Sequence, residues 1–205
     1  MIKNIIFDLG RVLVSFDPTE KLKALGLHQN DIDCIVKGIF NDFIWHQYDA
    51  GNRTLNELIT YYQSKLSRYK QVVTTFLSAW YEMVQPLDIT YNLLKEVKAK
   101  GYRIYILSNI NEDCALHLLK NAPFMKEVDG YIFSYEYHLI KPEKAIYELL
   151  FQKFQLIPNE CLFLDDCKMN IDAAQQLGMY GMVYEATEEM VCKVKEILKN
   201  EGIQC

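Results

Sequence analysis

The stretch NIIFDLGRVLVSFD, residues 4–17, opens with a short apolar run that ends at an aspartate. The run NIIF is typical of a strand buried on both faces, and Asp8 follows it directly. Burying a carboxylate is costly, so its position at the tip of such a strand indicates a bound cation or a reacting group. Two residues later, where a second carboxylate would serve a phosphate site, the chain has Gly10. The stretch therefore leaves three alternatives for Asp8: a working active site, a modified one, or the remnant of one.

The rest of the chain predicts the fold around this strand. Nearly continuous apolar runs, typical of buried parallel strands, occupy residues 3–7, 103–107, 130–134, 161–165 and 180–184. Helical patterns occupy residues 88–101, 141–154, 170–178 and 187–200. Strands that alternate with helices in this way predict a doubly wound, mainly parallel, Rossmann-like α/β sheet.

One long segment, residues 17–87, breaks the alternation because it contains no strand pattern. Its helical runs cover residues 19–26, 31–51 and 54–84, and its many aromatic side chains are typical of the core of a small helical bundle. We therefore predict an α/β core domain of residues 1–16 and 88–205, with an inserted helical cap domain of residues 17–87.

Composition limits the partners and the location. The chain has 205 residues and a net charge of -5, which argues against nucleic-acid binding because such surfaces need an excess of cations. No apolar run approaches the roughly 20 residues of a membrane span. The six cysteines show no C-x-x-C spacing, which predicts free thiols and a cytoplasmic protein. We expect a monomer or a homodimer.

The carboxyl ends of the predicted strands carry the polar residues. Asp8 follows the first strand, Ser108-Asn109 the second, Lys141 lies beyond the third, and Asp165-Asp166 ends the fourth. Ligands bind at this edge of open α/β sheets. Two adjacent carboxylates repel each other unless a cation lies between them, which predicts a divalent metal. A carboxylate, a hydroxyl, an ammonium group and a metal together suit phosphoryl transfer.

In order and spacing, four segments resemble the motifs of the haloacid dehalogenase-like hydrolases. The segments are IIFDLGRVL (5–13), YILSN (105–109), KPEKAIYELL (141–150) and LFLDDCKMNIDAA (162–174). Residues 17–87 then match the helical cap that this family inserts after its first motif. The FDLG and LDDxxxNIxxAxxLG patterns are similar to those of bacterial α-D-glucose-1-phosphate phosphatase-type enzymes.

The resemblance implies a Mg²⁺-dependent phosphatase that hydrolyses a small phosphorylated metabolite, such as a sugar phosphate, through an aspartyl-phosphate intermediate. The implied catalytic residues are Asp8, Ser108 and Lys141. The implied phosphate-binding positions are Leu9, Gly10, Ser108, Asn109 and Lys141. The implied metal ligands are Asp8, the Gly10 carbonyl and Asp166, with Asp165 as an additional or outer ligand. In the cap, His46, Tyr48 and Asp49 are candidates for recognising substrate hydroxyls.

Gly10 departs from the family pattern, because most relatives have there an aspartate that acts as general acid and base. Its loss favours substrates whose alcohol leaves easily and predicts slower turnover. Asp17 is a distant candidate to replace it. The departure keeps two alternatives open: a weak or inactive homologue that binds a phospho-ligand or a protein, and a metal-free 2-haloacid dehalogenase. The Asp165-Asp166 pair argues against the dehalogenase.

Overall fold

The computed structural model describes residues 1–201, so Cys205 lies outside the described residues. At its centre is a five-stranded sheet in which every neighbouring pair of strands is parallel. The strands are β1 (Asn4–Phe7), β2 (Arg103–Ser108), β3 (Gly130–Phe133), β4 (Cys161–Asp165) and β5 (Tyr180–Val183), in the spatial order β3-β2-β1-β4-β5. The predicted doubly wound, Rossmann-like α/β fold is confirmed.

Two layers of helices cover the sheet because successive side chains of each strand point to opposite faces. Ile5 and Phe7 of β1 belong to one apolar cluster, and Ile6 belongs to a second cluster on the other face. The first cluster includes side chains of α6 (Asp88–Ala99), α7 (Glu112–Asn121) and α11 (Glu188–Glu201), and the second includes side chains of α9 (Lys144–Phe154) and α10 (Lys168–Gln176). A four-residue helix, α8 (Ser134–Tyr137), follows β3. The near-continuous apolar strands are therefore buried on both faces, as their composition predicts.

None of the five strands lies within residues 17–87. The α-helices there are α1 (Pro18–Ala24), α2 (Gln29–Phe40), α3 (Phe43–Asp49), α4 (Leu55–Lys65) and α5 (Lys70–Leu77), with 3₁₀ turns at Ser67–Tyr69 and Trp80–Met83. Their apolar faces join the first cluster, so these helices pack directly onto the sheet domain.

The helical runs predicted at 31–51 and 54–84 are each broken in the structure. Asp42 ends the first run as the N-cap of α3, where its Oδ1 accepts a hydrogen bond from the Ile44 N–H at 3.0 Å. An N-cap aspartate satisfies a free backbone N–H and so starts a new helix where the periodicity alone predicts continuation. The second run breaks at Leu66, and α5 begins after a 3₁₀ turn.

Two details of the core also differ from prediction. Helix α7 was not among the predicted helices, although Asn111 caps it by accepting from the Cys114 N–H at 3.2 Å. The cap pattern of Asp88 in the sequence predicts an N-cap for α6, but Asp88 is instead its first helical residue, where its charge favours the helix N-terminus. Across residues 1–201, no helix combines the length and the apolar character needed to cross a membrane.

Candidate active site

Asp8 lies at the middle of the sheet edge because β1 is the central strand. β1 pairs with β2 on one side and with β4 on the other, so Ser108 and Asp165 end the two neighbouring strands. The Asp8 N–H donates to the Leu164 carbonyl at 2.9 Å, which continues the ladder past the strand. Asp8 is 7% exposed, and burial raises its pKa to about 6 against the opposing effect of Lys141. The topology therefore brings together the polar strand ends that the sequence predicts.

Lys141 supplies the positive charge of the site from a buried position. Its Nζ lies 2.8 Å from Asp8 Oδ1 and 2.6 Å from Asp165 Oδ2, and it donates to the Leu107 carbonyl at 2.9 Å. These contacts use all three ammonium protons. Burial lowers the pKa of Lys141, but the two carboxylates together raise it well above its ordinary value. Lys141 is thus a fixed cation that holds the carboxylates of Asp8 and Asp165 in place.

The acidic loop after β4 provides the metal-binding character of the site. Carboxylate oxygens of Asp8, Asp165 and Asp166 all lie within 4.8 Å of one another. Asp165 is already occupied by protein donors, because it also accepts from the Cys167 N–H at 2.8 Å and from Asn170 Nδ2 at 3.0 Å. Burial and the neighbouring Asp165 charge raise the pKa of Asp166. The cluster fits a hard divalent cation, which Asp8 and Asp166 could hold while Asp165 holds the loop.

Ser108 and Asn109 play different parts in the structure. Ser108 is buried and lines the cavity above Asp8, where its hydroxyl can face a phosphoryl group. The Asn109 side chain instead pairs with the backbone of Lys141: its Oδ1 accepts from the Lys141 N–H at 2.7 Å, and its Nδ2 donates to the Lys141 carbonyl at 2.9 Å. Asn109 therefore fixes the lysine loop through its side chain.

Two adjoining cavities open above Asp8. The outer one, of about 350 Å³, is lined by the polar groups Asp8, Arg11, His46, Asp49, Ser108, Lys141 and Asp166, among others. The inner one, of about 170 Å³, is lined mainly by apolar side chains that include Val14, Trp80, Val84 and Leu118. Gly10, Phe16, Trp45, Asp49, Ser108 and Asn109 line both cavities. The site therefore joins a charged chamber to an apolar one.

Aromatic side chains form much of the wall from the cap side. The rings of Phe40 and Trp45 meet edge to face at 4.5 Å between centroids, and Trp45 meets Trp80 in the same way at 5.2 Å. In the sequence these residues read as the core of a helical bundle. Trp45 and Trp80 are buried in that core, Phe40 is half-buried against it, and all three also line the cavities, a double role that periodicity alone does not show.

The three cap candidates for hydroxyl recognition end in different places. His46 is exposed and lines the outer cavity. Tyr48 is buried, and its hydroxyl donates to Asp113 Oδ2 at 2.5 Å beside a separate surface groove, so it does not face Asp8. Asp49 lines both cavities. Asp17, by contrast, is the exposed N-cap of α1, accepting from the Thr19 N–H at 2.9 Å, and it lines neither cavity.

Asp49 is held by the core domain. Its Oδ1 accepts a hydrogen bond from Asn111 Nδ2 at 3.0 Å, and its backbone carbonyl accepts from Ser134 Oγ at 2.5 Å. Burial raises the pKa of Asp49 to about 7; the Asn111 hydrogen bond opposes that rise and the Asp8 charge adds to it. A carboxyl with this pKa exchanges protons readily near neutral pH.

Two named phosphatases are similar to this chain over most of both lengths. D-ribitol-5-phosphate phosphatase of Bacteroides thetaiotaomicron is 26% identical over 87% of this chain and 89% of its own. A sesquiterpene phosphatase of Aspergillus oryzae is 25% identical over 88% of each chain. The names of these relatives confirm the prediction of a phosphatase-type enzyme.

A solved structure of similar fold contains bound magnesium and inorganic phosphate. It is an HAD family enzyme from Bacteroides thetaiotaomicron in complex with magnesium and inorganic phosphate, 26% identical to this chain with a TM-score of 0.70 over 92% of this chain and 96% of that one. Together with the Asp8, Asp165 and Asp166 cluster, it confirms magnesium as the metal that such a site takes.

The family model described as haloacid dehalogenase-like hydrolase matches residues 2–178, a range that contains all four motif segments and the inserted helices. The predicted resemblance is thereby confirmed, and the chain belongs to the haloacid dehalogenase-like hydrolases.

Proposed function

We propose that this protein is a Mg²⁺-dependent phosphatase that hydrolyses a small phosphorylated metabolite, a sugar or polyol phosphate, through an aspartyl phosphate on Asp8. The observation that carries the proposal is the contact of Lys141 Nζ with Asp8 Oδ1 at 2.8 Å inside the three-carboxylate cluster. Residues 17–87 are the cap in this proposal, with the core of residues 1–16 and 88–205 bearing the nucleophile.

Each site residue then has a defined task. A carboxylate oxygen of Asp8 attacks phosphorus and carries the phosphoryl group until water hydrolyses the ester. Ser108 and the backbone N–H groups of Leu9, Gly10 and Asn109 bind the phosphoryl oxygens, and Lys141 neutralises charge on Asp8 and the phosphoryl group. Asp8, Asp166 and the Gly10 carbonyl would hold magnesium, with Asp165 behind them; when bound, the metal supplies positive charge for the phosphoryl oxygens.

The cap supports the substrate class. Trp45 and Phe40 present aromatic faces that can stack on a sugar or polyol chain, and His46 lies where it can contact a hydroxyl. The inner apolar chamber favours a second candidate substrate for the same reaction, the monophosphate of an apolar alcohol, and one relative is named a sesquiterpene phosphatase.

The described cysteines are free thiols, which supports a cytoplasmic location; they are Cys34, Cys114, Cys161, Cys167 and Cys192.

The test is hydrolysis of p-nitrophenyl phosphate by the purified protein, with magnesium and with EDTA. We expect magnesium-dependent release of phosphate, loss of activity to background in Asp8→Asn, and full activity in the surface control Asp172→Asn, whose side chain pairs with Lys168 on α10. No release with any divalent metal would overturn the proposal in favour of a binding protein, and chloride release from 2-chloropropionate without metal would favour a dehalogenase. Ribitol 5-phosphate, glucose 1-phosphate and farnesyl monophosphate then separate the two substrate classes by kcat/KM.

A further inference from the structure

We propose that Asp49, on cap helix α3, is the general acid and base of the reaction and replaces the carboxyl group that the family pattern has at Gly10. The inference rests on the phosphatase reaction proposed above. It assigns to the cap domain a chemical role, in addition to recognition of the substrate.

The first argument is position. Three carboxylates line the outer cavity, and two of them, Asp8 and Asp166, belong to the nucleophile and metal cluster. The third, Asp49, lines both cavities in common with Gly10 and Ser108, so it lies where the phosphoryl site meets the space for the alcohol. At Gly10 itself, a Cβ atom would have no heavy atom within 4 Å, so no neighbouring group occupies the place of the missing side chain.

The second argument is the fixed geometry of α3 at its C-terminal end. Asn111 and Ser134 bind the side chain and the carbonyl of Asp49, as described above. On either side, the Tyr48 hydroxyl donates to Asp113, and His138 Nδ1 lies 2.9 Å from the Ala50 carbonyl oxygen. A carboxyl group that only covered the site would not need anchoring through four consecutive core contacts. The Asn111 hydrogen bond holds Oδ1, and Trp45, which lines both cavities with Asp49, also hydrogen-bonds this carboxyl group.

The third argument is the protonation state, which supports the geometry. Burial raises the pKa of Asp49 to about 7, so protonated and ionised forms coexist near neutral pH. Asp8, Arg11, His46, Lys141 and Asp166 are the other titratable and charged groups of the outer cavity, and Cys114 on α7 and Tyr48 and Tyr62 in the cap also interact with Asp49. Of these, Asp8 raises the Asp49 pKa through its charge.

The proton balance closes over one cycle. Asp8 attacks phosphorus, the bond between phosphorus and the ester oxygen breaks, and the leaving oxygen takes the proton of Asp49 to give the free alcohol. Water then attacks the aspartyl phosphate and gives one proton to the Asp49 carboxylate. The bond between phosphorus and Asp8 breaks, and inorganic phosphate leaves with Asp8 ionised and Asp49 protonated, as at the start.

Asp49→Asn tests the assignment because asparagine keeps the acceptor for Asn111 and removes only the proton exchange. With ribitol 5-phosphate, whose alkoxide needs a proton to leave, we expect kcat to fall about 10²–10⁴-fold. With p-nitrophenyl phosphate, the first step needs little acid, so we expect a burst of one p-nitrophenol per enzyme followed by slow turnover. Mass spectrometry of the acid-quenched variant should then show the accumulated phosphoenzyme on Asp8.

Controls separate this inference from the proposed function. Asp33→Asn, an exposed cap acid on α2, should match the wild type with both substrates. The double variant Gly10→Asp, Asp49→Asn should have a kcat at least about tenfold above that of Asp49→Asn alone, because the introduced carboxyl group would again offer a general acid and base. A wild-type enzyme without phosphatase activity would refute the proposed function. An active wild type whose Asp49→Asn variant shows a changed KM without a burst, or an unchanged kcat for ribitol 5-phosphate, would refute the role of Asp49.

Discussion

Gly51 gives a direct test of how the cap is anchored to the core, because its backbone and its surroundings both exclude a side chain. Its φ is +71°, and a Cβ atom there would lie 2.5 Å from the Tyr135 carbonyl oxygen. A left-handed conformation costs a non-glycine residue about 1–2 kcal/mol. Overpacking against a fixed backbone adds about 1–3 kcal/mol. We therefore expect Gly51→Ala to lower the free energy of unfolding by about 2–5 kcal/mol.

Gly26 is the matched control, since its φ is +82° and a Cβ atom there would meet nothing within 4 Å. Gly26→Ala has the conformational cost without the steric one, so it should lose about 1–2 kcal/mol. Urea denaturation of both variants at one pH, followed by circular dichroism, gives the difference between them. That difference, about 1–3 kcal/mol, measures the contact of the Gly51 backbone with Tyr135.

The functional consequence distinguishes anchoring from general stability. Gly51 lies two residues after Asp49, so displacement of this loop moves the proposed acid away from Asp8. We expect kcat for ribitol 5-phosphate to fall in Gly51→Ala at temperatures where the variant is fully folded, and to stay at the wild-type value in Gly26→Ala. Equal losses of unfolding free energy in the two variants would refute the steric argument. Equal kcat values would refute its link to catalysis.

Three other perturbations have defined outcomes. Gly10→Asp alone should raise kcat for alkyl phosphates relative to p-nitrophenyl phosphate, because its side chain enters open space beside Asp8; an unchanged kcat ratio would count against this account of Gly10. Lys141→Met should lower the free energy of unfolding by about 3–5 kcal/mol in urea titrations, because it leaves two buried carboxylates without their cation. The surface control Lys168→Met should change it by less than about 1 kcal/mol. Asp49 has a folded pKa of about 7 against an ordinary 3.8, so the folded state keeps a proton that the unfolded chain releases, and its contribution to stability falls as pH rises from about 4 to 7. Asp49→Asn should therefore gain stability relative to the wild type across that window, by at most about 4 kcal/mol above pH 7, and a difference that is flat with pH would contradict the burial of a protonated Asp49.

The sheet and the polar edge that carries the candidate site could be predicted from sequence because both depend on local signals. A strand buried on both faces has a continuous apolar run, and the parallel order places the ends of such runs together. Asp8, Ser108 and Asp165 therefore meet in the structure as a consequence of three short segments. Lys141 is found by the same argument only because it follows β3 closely.

The parts that sequence did not predict depend on contacts across the chain. The Asn109 side chain reads as a phosphate ligand until its pairing with the Lys141 backbone is seen. Trp80 reads as bundle core, although it also forms the wall of the inner cavity. From the sequence, Asp49 could be proposed only for hydroxyl recognition, because the hydrogen bond that holds it comes from Asn111, 62 positions further along the chain.

The proposed nucleophile lies in the sheet domain and the proposed acid lies in the cap, and this separation affects how water reaches the site. The proposed nucleophile Asp8 directly follows the central strand of the sheet, while the proposed acid Asp49 lies at the end of α3, which the core holds through Asn111 and Ser134. If these contacts part, the acid and the aromatic wall leave the site together. Solvent then enters a site without its proton donor, so unproductive attack on substrate or on the aspartyl phosphate is slow. Because Gly10 supplies no acid from the core, the proposed reaction has its full catalytic set only with the cap docked, so we expect closure to be a condition of the chemistry itself.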